Sequence, residues 1–452
     1  MMNIRRPLEF RYYSRGQTCS GTYTLIGKSV TIEPKNIEEP VHIHLAFTDR
    51  IDQMFVNYLT NSSQTLPSCQ YGLDPSALTS TKTGTSITYK ASDMCEEIAT
   101  ITGPHNFIDP GVIHTVVMED LRPSTTYYYR VGNDVDGWSS IYSFLTRPVD
   151  EDATVNIVAY GDMGATPAAQ ETINYVAARI ATMNITGLVH IGDISYARGI
   201  AVIWEAFMTQ IQSVAARVPY MVSIGNHEYD HLTGGEKDPS GAPAPGGFRP
   251  SWGNYGRDSG GECAVPMVRR FRSPSNGNGI FWYSFEIGPV HILLFSAEHD
   301  FQPSSVQYNW IERDLKSVNR TRTPWIIVGS HRQMFTSEND HPDIIVGQHL
   351  QLYLEPLFYQ YHVDVNLFAH LHAYERSCPM YQQKCVANGI TNVLIGMAGI
   401  GLDSRTYSVN EWSQYHDQQY GYTIITANRT ALAFKYYHNT DNNVADQFLL
   451  SK

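Results

Sequence analysis

Side chains of the types that bind metal ions occur in this sequence directly after stretches of β-strand character. The seven that matter most are Asp162, Asp193, Tyr196, Asn226, His331, His370 and His372. Taken singly, each has an ordinary explanation, since a Gly-Asp after a strand is usually a turn and a lone histidine is usually a surface or core residue. The ordered set is much harder to attribute to chance, because each of five strand ends delivers a carboxylate, an amide or an imidazole.

The chemistry of this donor set indicates two metal ions rather than one. Three imidazoles, two carboxylates, an amide and a phenol are too many ligands for one tetrahedral zinc ion. Divided over two ions, with one carboxylate shared, they leave positions open for water and substrate, as in the metal pairs that hydrolyse phosphate esters. The set contains no thiolate, which disfavours iron–sulfur and structural zinc sites, and the phenol favours a hard trivalent ion such as Fe(III).

The elements that must position these side chains form an alternating series. The pattern predicts a strand over 154–160, a helix from Pro167 with Thr166 as its N-cap, a strand over 187–191, a helix over 204–214 and a strand over 220–224. This order predicts an α/β domain, in which polar residues at the carboxyl ends of strands meet at one edge. His370 and His372 follow another apolar run, and their spacing on an extended segment predicts that they point to the same side.

The first third of the chain has a different pattern. Segments 41–47, 114–118 and 125–131 alternate or are rich in β-branched and aromatic residues, and turn residues separate such runs. This predicts a small β-sandwich, whose last strands look like those of a fibronectin type III-like module. We therefore predict an all-β domain over residues 1–149 and an α/β domain over residues 150–452.

Composition excludes several classes of protein. The net charge of −12 makes nucleic-acid binding improbable, because phosphate backbones need lysine and arginine, although a bound metal would still allow a small phosphorylated ligand. No apolar run is long enough for a transmembrane helix, and the first residues lack the apolar segment of a signal peptide. The four Asn-X-Ser/Thr sequons are about as many as this composition produces by chance.

The blocks that carry the seven side chains resemble the five metal-binding blocks of the purple acid phosphatases, which belong to the calcineurin-like metallophosphoesterases. The blocks are Gly161-Asp162-Met-Gly164, Gly192-Asp193-Ile-Ser-Tyr196, Gly225-Asn226-His227-Glu228, Val328-Gly-Ser-His331 and His370-Leu-His372-Ala-Tyr-Glu-Arg376. The resemblance covers most of the chain. Segment 254–263 is similar to the larger plant-type members, some of which are described as nucleotide pyrophosphatase/phosphodiesterases.

The resemblance implies a fold, a ligand set and a reaction. The fold would be a metallophosphoesterase β-sandwich flanked by helices, preceded by the all-β domain. Fe(III) would be bound by Asp162, Tyr196 and His372, a divalent ion (Zn, Fe or Mn) by Asn226, His331 and His370, and Asp193 would bridge the two. The activity would be that of an acid phosphatase, in which a metal-bound hydroxide attacks a phosphate monoester or anhydride.

Two alternatives to this activity stay open. A nucleotide pyrophosphatase or phosphodiesterase would use the same site. A non-catalytic binding protein is disfavoured, because all seven ligands are present.

Residues beyond the ligands also receive expected roles from the resemblance. His227 would stabilise the transferring group or protonate the leaving group, and His341 stands about where the family has an outer-sphere histidine. Glu228 and Arg376 would support the site without touching substrate. Ala369 stands where the family usually has glycine before the first histidine of His-X-His, and its methyl group would crowd the turn slightly.

The cysteines and the cellular setting complete the expectations. A disulfide could close the six residues between Cys378 and Cys385, although spacing alone fits reduced buried thiols equally well. Family members carry a similar cysteine hairpin after the His-X-His block, which implies a disulfide here. The resemblance further implies that the substrates are small phosphorylated molecules and that the protein is secreted, vacuolar or lysosomal. It allows a homodimer. We expect neither nucleic acid nor a membrane as a partner.

Overall fold

The structure is a computed structural model. It describes residues 5–15, 21–103, 105–150, 152–231, 235–243 and 247–452. In the N-terminal region the strands are β1 (Arg11–Arg15), β2 (Tyr23–Lys28), β3 (Val41–Phe47), β4 (Met54–Thr60), β5 (Ser68–Gly72), β6 (Ser80–Thr83), β7 (Thr85–Ile87), β8 (Val112–Met118), β9 (Thr126–Asn133), β10 (Gly137–Trp138) and β11 (Tyr142–Leu145). A short 3₁₀ turn covers Ala91–Asp93.

These strands form the predicted β-sandwich. One sheet has the order β3-β4-β8-β7, and the other has the order β10-β9-β5-β6 with β11 beside β9. Side chains alternate across β9, where Tyr127, Tyr129 and Val131 are buried in the core between the sheets. β1 and β2 form a separate hairpin.

The remaining elements belong to a larger α/β unit. Its strands are β12 (Val155–Tyr160), β13 (Ile185–Ile191), β14 (Tyr220–Ser223), β15 (Tyr283–Ile287), β16 (Val290–Leu294), β17 (Trp325–Gly329), β18 (Val365–Phe368), β19 (Tyr374–Tyr381), β20 (Lys384–Cys385), β21 (Ile390–Ile395), β22 (Ser413–Asp417), β23 (Gly421–Ala427), β24 (Ala431–His438) and β25 (Val444–Ser451). Its helices are α1 (Pro167–Thr182), α2 (Ala201–Ala215), α3 (Val265–Arg270), α4 (Val306–Ser317), α5 (Ile344–Tyr353) and α6 (Glu355–Gln360), with a 3₁₀ turn at Gly235–Lys237.

Two sheets face each other at the centre of this unit. The first has the order β14-β13-β12-β23-β24-β25, and the second runs β15-β16-β17-β18-β21-β19-β20 with β22 beside β19. Alternate side chains of β12 point to opposite faces of the sheet. Ile157 is buried in the core between the sheets, whereas Val158 packs against the helices. This is the expected β-sandwich flanked by helices.

The local predictions around the site are confirmed. Thr166 is the N-cap of α1, since its Oγ1 accepts a hydrogen bond from the backbone N–H of Ala169 at 3.1 Å. β12, β13 and β14 are parallel, as are β16, β17, β18 and β21, so their carboxyl ends lie at common edges. No helix in the part of the chain that the structure describes is both long and apolar enough to cross a membrane.

The N-terminal sandwich packs closely on the α/β unit. One hydrophobic core contains Leu45 and Phe47 from β3 together with Met221 from β14 and Ile287 from β15. The position of the domain boundary between residues 149 and 150 therefore stays a prediction.

Two disulfides link cysteines within the described ranges. The pairs are Cys95–Cys263 and Cys378–Cys385. The second pair confirms the expected hairpin link. The first joins the N-terminal sandwich to the segment before α3 and was not predicted, because a separation of 168 residues leaves no spacing signal. Cys69 is buried as a free thiol, and Cys19 lies outside the described residues.

Candidate metal centre

The seven predicted side chains converge where the carboxyl ends of the two facing sheets meet. Asp162, Asp193 and Asn226 follow β12, β13 and β14 in the first sheet, whereas His331 and His370 follow β17 and β18 in the second. Tyr196 and His372 lie a few residues further along the same loops. The sheet order alone thus brings side chains together that are up to 210 residues apart.

One group of donors consists of Asp162, Tyr196 and His372. The Tyr196 hydroxyl donates to Asp162 Oδ1 at 2.8 Å and lies 3.0 Å from His372 Nε2. His372 Nε2 is in turn 3.5 Å from Asp162 Oδ1. A carboxylate oxygen, a phenol oxygen and an imidazole nitrogen thus face one small volume.

A second group consists of Asn226, His331 and His370. Asn226 Oδ1 lies 3.0 Å from both His331 Nε2 and His370 Nδ1. The two ring nitrogens are only 3.2 Å apart. These are the three residues that the resemblance assigns to the divalent ion.

Asp193 lies between the two groups. Its Oδ1 is 3.2 Å from His331 Nε2, and its carboxylate also forms a hydrogen bond with the Tyr196 hydroxyl. Burial and the Asp162 and Asp193 carboxylates raise the pKa of Tyr196 well above its usual range. Asp193 thus contacts one member of each group, and the resemblance gives it the role of the shared ligand.

Hydrogen bonds on the outer side of each histidine fix which nitrogen faces the cluster. The outer nitrogens and their acceptors are His331 Nδ1 with the Ile191 carbonyl at 3.1 Å, His372 Nδ1 with the Gly401 carbonyl at 2.6 Å, and His370 Nε2 with Asp343 Oδ2 at 2.6 Å. Because these oxygens only accept, each neutral ring carries its proton on the outer nitrogen and presents a lone pair inward.

The electrostatics of the cluster favour a bound positive charge. Burial lowers the pKa of His331, but the Asp193 and Asp162 carboxylates outweigh it and raise the pKa to about 10. Burial also lowers the pKa of His372, but the Asp162 carboxylate outweighs burial and raises this pKa to about 9. The carboxylate field that raises these pKa values favours a cation at the inward nitrogens, which is the place that a bound metal ion would take from the proton.

His227 lies beside the cluster and faces solvent in part. Its Nδ1 is 2.9 Å from the carbonyl oxygen of Asp258, so this nitrogen carries the proton of the neutral ring. Its Nε2 accepts from Arg198 Nη2 at 3.1 Å and is 3.7 Å from Asp193 Oδ2. His227 can therefore exchange a proton with a bound molecule only through Nε2.

Glu228 supports the loops, as expected, without facing the cluster. Its carboxylate accepts hydrogen bonds from the backbone N–H groups of Gly225, Asp193 and Ile194 at 2.8–3.0 Å. These bonds join the loop after β13 to the loop after β14. They also hold Asp193 at φ +50°, a conformation that non-glycine residues rarely adopt.

His341 lies beside the second group. Its ring centroid is 5.5 Å from that of His370, and its Nδ1 accepts from the backbone N–H of Asp343 at 3.1 Å. Burial and the neighbouring His370 lower the pKa of His341 to about 4. The expected outer-sphere place of His341 agrees with this position. Arg376, by contrast, pairs with Asp446 at 2.6 Å.

Two details of the His-X-His block differ from expectation. The segment is not extended, because β18 ends at Phe368 and His370 has φ +73°. The turn directs His370 to the second group and His372 to the first. Ala369 does not crowd it, since its methyl group occupies space left by Gly161, where an added Cβ would lie 2.4 Å from the Ala369 Cβ.

Three residues of the surroundings were not predicted. Asp343 holds His370, Asp258 accepts from the Asn226 amide at 3.1 Å, and Arg198 contacts His227. Asp258 lies in the segment that resembles the larger plant-type proteins, and Arg198 is two residues after Tyr196. No sequence pattern predicts the contact of Asp258 or that of Arg198, because each contact depends on how separate loops pack together.

Three protein-family models match the chain in succession. "Purple acid Phosphatase, N-terminal domain" matches residues 40–146, "Calcineurin-like phosphoesterase" matches residues 155–374, and "Iron/zinc purple acid phosphatase-like protein C" matches residues 389–447. The second model contains the strands that carry all seven donors.

Individual proteins are similar over most of the chain. "Probable inactive purple acid phosphatase 9" of Arabidopsis thaliana is 33% identical, over 91% of this chain and 67% of the relative. "Nucleotide pyrophosphatase/phosphodiesterase" of Hordeum vulgare is 32% identical, over 70% of this chain and 88% of the relative. The solved structure of purple acid phosphatase PPD1 from yellow lupin seeds superimposes with a TM-score of 0.86 at 28% identity, covering 100% of this chain and 80% of that chain.

Proposed function

We propose that this chain, which belongs to the purple acid phosphatase family, is an acid phosphatase that hydrolyses phosphate monoesters or anhydrides at a dinuclear metal centre. One observation carries the proposal. Three atoms of metal-ligand type, one each from Asn226, His331 and His370, lie within 3.2 Å of one another, an arrangement that a cation stabilises. Some relatives are named probable inactive, and this chain retains all seven donors.

We further propose Fe(III) for the group of Asp162, Tyr196 and His372, and a divalent ion (Zn, Fe or Mn) for the group of Asn226, His331 and His370. Burial and neighbouring carboxylates oppose ionisation of Tyr196. Only a strongly Lewis-acidic ion would keep it as phenolate in acid, which supports Fe(III) for the first group. Asp193 would be the shared ligand.

Two such ions would acidify a water molecule and neutralise the charge of phosphoryl oxygens. His227, at the open side of the site, would protonate the leaving group. Since its Nδ1 donates to the Asp258 carbonyl, its Nε2 would hold the proton that the leaving oxygen takes up. Arg198 donates to that same nitrogen at 3.1 Å in this structure, so substrate would have to take the guanidinium's place or draw it away.

The test combines metal analysis with hydrolysis of 4-nitrophenyl phosphate from pH 4 to pH 8. We expect two metal ions per chain and turnover in the acid range. Asp193→Asn should abolish turnover, whereas Glu171→Gln, on the exposed face of α1, should leave it unchanged. A protein that binds both ions and cleaves no phosphate ester would instead be a non-catalytic binding protein.

A second candidate function is that of a nucleotide pyrophosphatase or phosphodiesterase. The observation that favours it is Arg198, which is exposed beside His227 and forms no ion pair with a carboxylate within the described ranges. A guanidinium in that position could bind a second phosphoryl group of an anhydride. The barley relative named for this activity also supports it.

Parallel assays separate the two functions. A monoester, a diester and a nucleoside diphosphate would be compared in wild-type protein and in Arg198→Ala. If the second function is correct, the variant should lose at least about tenfold in kcat/KM for the diphosphate and much less for the monoester. Equal losses for all three substrates would remove Arg198 as an argument for it.

The cellular setting remains part of the proposal. Disulfides are rare in reducing compartments, so the links Cys95–Cys263 and Cys378–Cys385 support a secreted or vacuolar location. Small phosphorylated molecules would be the substrates.

A further inference from the structure

Asp258 contacts the amide of Asn226 from outside the metal centre. Asn226 Nδ2 donates to Asp258 Oδ2 at 3.1 Å. Because the NH₂ end of the amide is held there, Oδ1 is turned towards His331 and His370, 3.0 Å from a ring nitrogen of each. An amide rotated by half a turn would present its donor end to these nitrogens and could not bind a metal ion.

The same residue also orients the neighbour of Asn226. The carbonyl oxygen of Asp258 lies 2.9 Å from His227 Nδ1. Asp258 thus acts on Asn226 through its side chain and on His227 through its backbone. A substitution of the Asp258 side chain would remove the contact with Asn226 and retain the backbone contact with His227.

The loop that carries Asp258 is attached to the N-terminal sandwich. The N–H groups of Ile98 and Ala99 donate to the Gly260 carbonyl at 2.9 Å, and the N–H of Cys95 donates to the Gly261 carbonyl at 2.9 Å. The disulfide Cys95–Cys263 links the same two segments covalently. Residues 95–99 belong to the connection between β7 and β8 of the sandwich.

The loop has a second anchor within the α/β unit. The carboxylate of Asp230 accepts from the N–H of Ser259 at 3.2 Å and from the N–H of Gly261 at 2.8 Å. Asp230 itself follows the Asn226–Glu228 block by two residues. The loop is therefore fixed on one side by the site it serves and on the other side by the sandwich.

We propose that Asp258 is a positioning residue for the metal ligand Asn226, and that the N-terminal sandwich keeps Asp258 in place through residues 95–99 and the Cys95–Cys263 disulfide. The inference rests on the proposed dinuclear centre. It gives the sandwich a role in the site although the sandwich supplies none of the seven donors. The ion affected would be the one bound by Asn226, because among the described residues Asp258 makes its hydrogen bonds at the site to Asn226 and His227 and none to Asp162, Tyr196 or His372.

The first test is Asp258→Ala in the metal-loaded protein. Zinc or manganese affinity, measured by competition with a chelator, should fall about 10- to 100-fold, the usual effect of removing an outer partner of a ligand. The iron content and its visible absorption should not change. Asp258→Asn retains an acceptor oxygen and should restore most of the affinity, which a merely structural role would not predict.

A matched control is an exposed arginine outside this attachment. Arg249 is exposed and lies ahead of the Asp258 loop. Arg249→Ala should leave the affinity for the divalent ion within about twofold of wild type, because surface substitutions of this kind have small effects.

The second test removes the attachment. In Cys95→Ser/Cys263→Ser, amide hydrogen exchange over residues 254–263 should accelerate, and the affinity for the divalent ion should fall in the same selective way. The control Cys378→Ser/Cys385→Ser removes the other disulfide and should do neither.

The outcomes distinguish this inference from the proposed function. If wild-type protein binds two ions and Asp258→Ala binds the divalent ion equally well, the inference is wrong and the function stands. If Asp258→Ala loses both ions together, Asp258 has only a general structural role, which also overturns the inference. Wild-type protein that binds fewer than two ions overturns the dinuclear centre itself, and the inference with it.

Discussion

The Nε2 of His370 lies 2.6 Å from Oδ2 of Asp343. Asp343 is itself held by Arg332, whose Nη1 is 3.4 Å from the same oxygen, and by the Asn254 amide at 2.9 Å. Burial raises the pKa of Asp343, but its hydrogen bond to His370 and the charge of Arg332 outweigh burial and keep the pKa well below its usual range. An ionised Asp343 therefore fixes the His370 proton on Nε2 and leaves Nδ1 free to bind a metal ion.

We predict that Asp343→Ala weakens binding of the divalent ion by about 10- to 100-fold, because His370 loses the partner that sets its tautomer and ring orientation. Metal titration with a competing chelator measures the effect. Gln348→Ala, on the exposed face of α5, is the control and should bind the ion as wild type does. Unchanged affinity in Asp343→Ala would mean that the tautomer of His370 does not depend on this contact.

If Tyr196 binds Fe(III) as phenolate, charge transfer from the phenolate to the iron should colour the oxidised, iron-loaded protein purple, and Tyr196→Phe should abolish this colour. A free tyrosine has a pKa of about 10, and only a strongly Lewis-acidic ion would hold Tyr196 ionised in acid. The phenylalanine ring keeps the packing and removes the oxygen, so the fold and most of the activity should remain, whereas Asp193→Asn should lose more. Visible spectroscopy is the measurement, with Tyr415→Phe on β22 as the control. A band that survives in Tyr196→Phe would show that this residue is not a ligand.

His227→Ala should leave both ions bound and lower kcat by ~10²-fold, the usual scale for a positioned acid–base group. The loss should be smaller for aryl phosphates with good leaving groups, which need less protonation. A series of such substrates, with metal content measured in parallel, tests both points. An equal loss across the series would argue for a binding or structural role.

A further prediction concerns stability away from the site. Glu205 on α2 is buried and pairs with Arg5 at 2.7 Å and with Arg270 at 2.8 Å. Burial raises its pKa, but His42, Arg270 and Arg5 outweigh burial and lower the pKa to about 2. Because this folded-state pKa is below the ordinary glutamate value of 4.5, the charge stabilises the fold above about pH 4.5, and this contribution is lost as the pH falls towards 2.

Glu205→Gln should therefore reduce the free energy of unfolding by about 3 kcal/mol at pH 6, since two buried guanidinium groups lose their counter-charge. The difference from wild type should narrow below about pH 4.5, by about 1.4 kcal/mol per pH unit. Urea unfolding at pH 6 and pH 3.5 measures it. Glu286→Gln is the control, because its partner Arg322 is half exposed at 3.6 Å and the pair should contribute little at either pH. A difference that is the same at both pH values would contradict the prediction.

Much of the framework could be predicted because its signals are local. The strand expected over 41–47 is β3 with the same bounds, and α1 begins at Pro167 after its Thr166 cap. The extended form expected for the His370–His372 segment was wrong, because apolar alternation ends at Phe368 and nothing in the following residues marks the turn.

The sequence by itself determined the donor types, their order along the chain and the strand ends that carry them, since periodicity and short motifs depend only on neighbouring residues. Tertiary structure alone decided which nitrogen of each histidine faces inward, and that Asp258, Asp343 and residues 95–99 support the ligands. These features depend on hydrogen bonds between loops that are distant in sequence. The backbone N–H of His370, for example, donates to Asp162 Oδ2 at 2.8 Å across a sequence separation of 208. No local pattern encodes such contacts, because their geometry exists only once the two sheets have packed face to face.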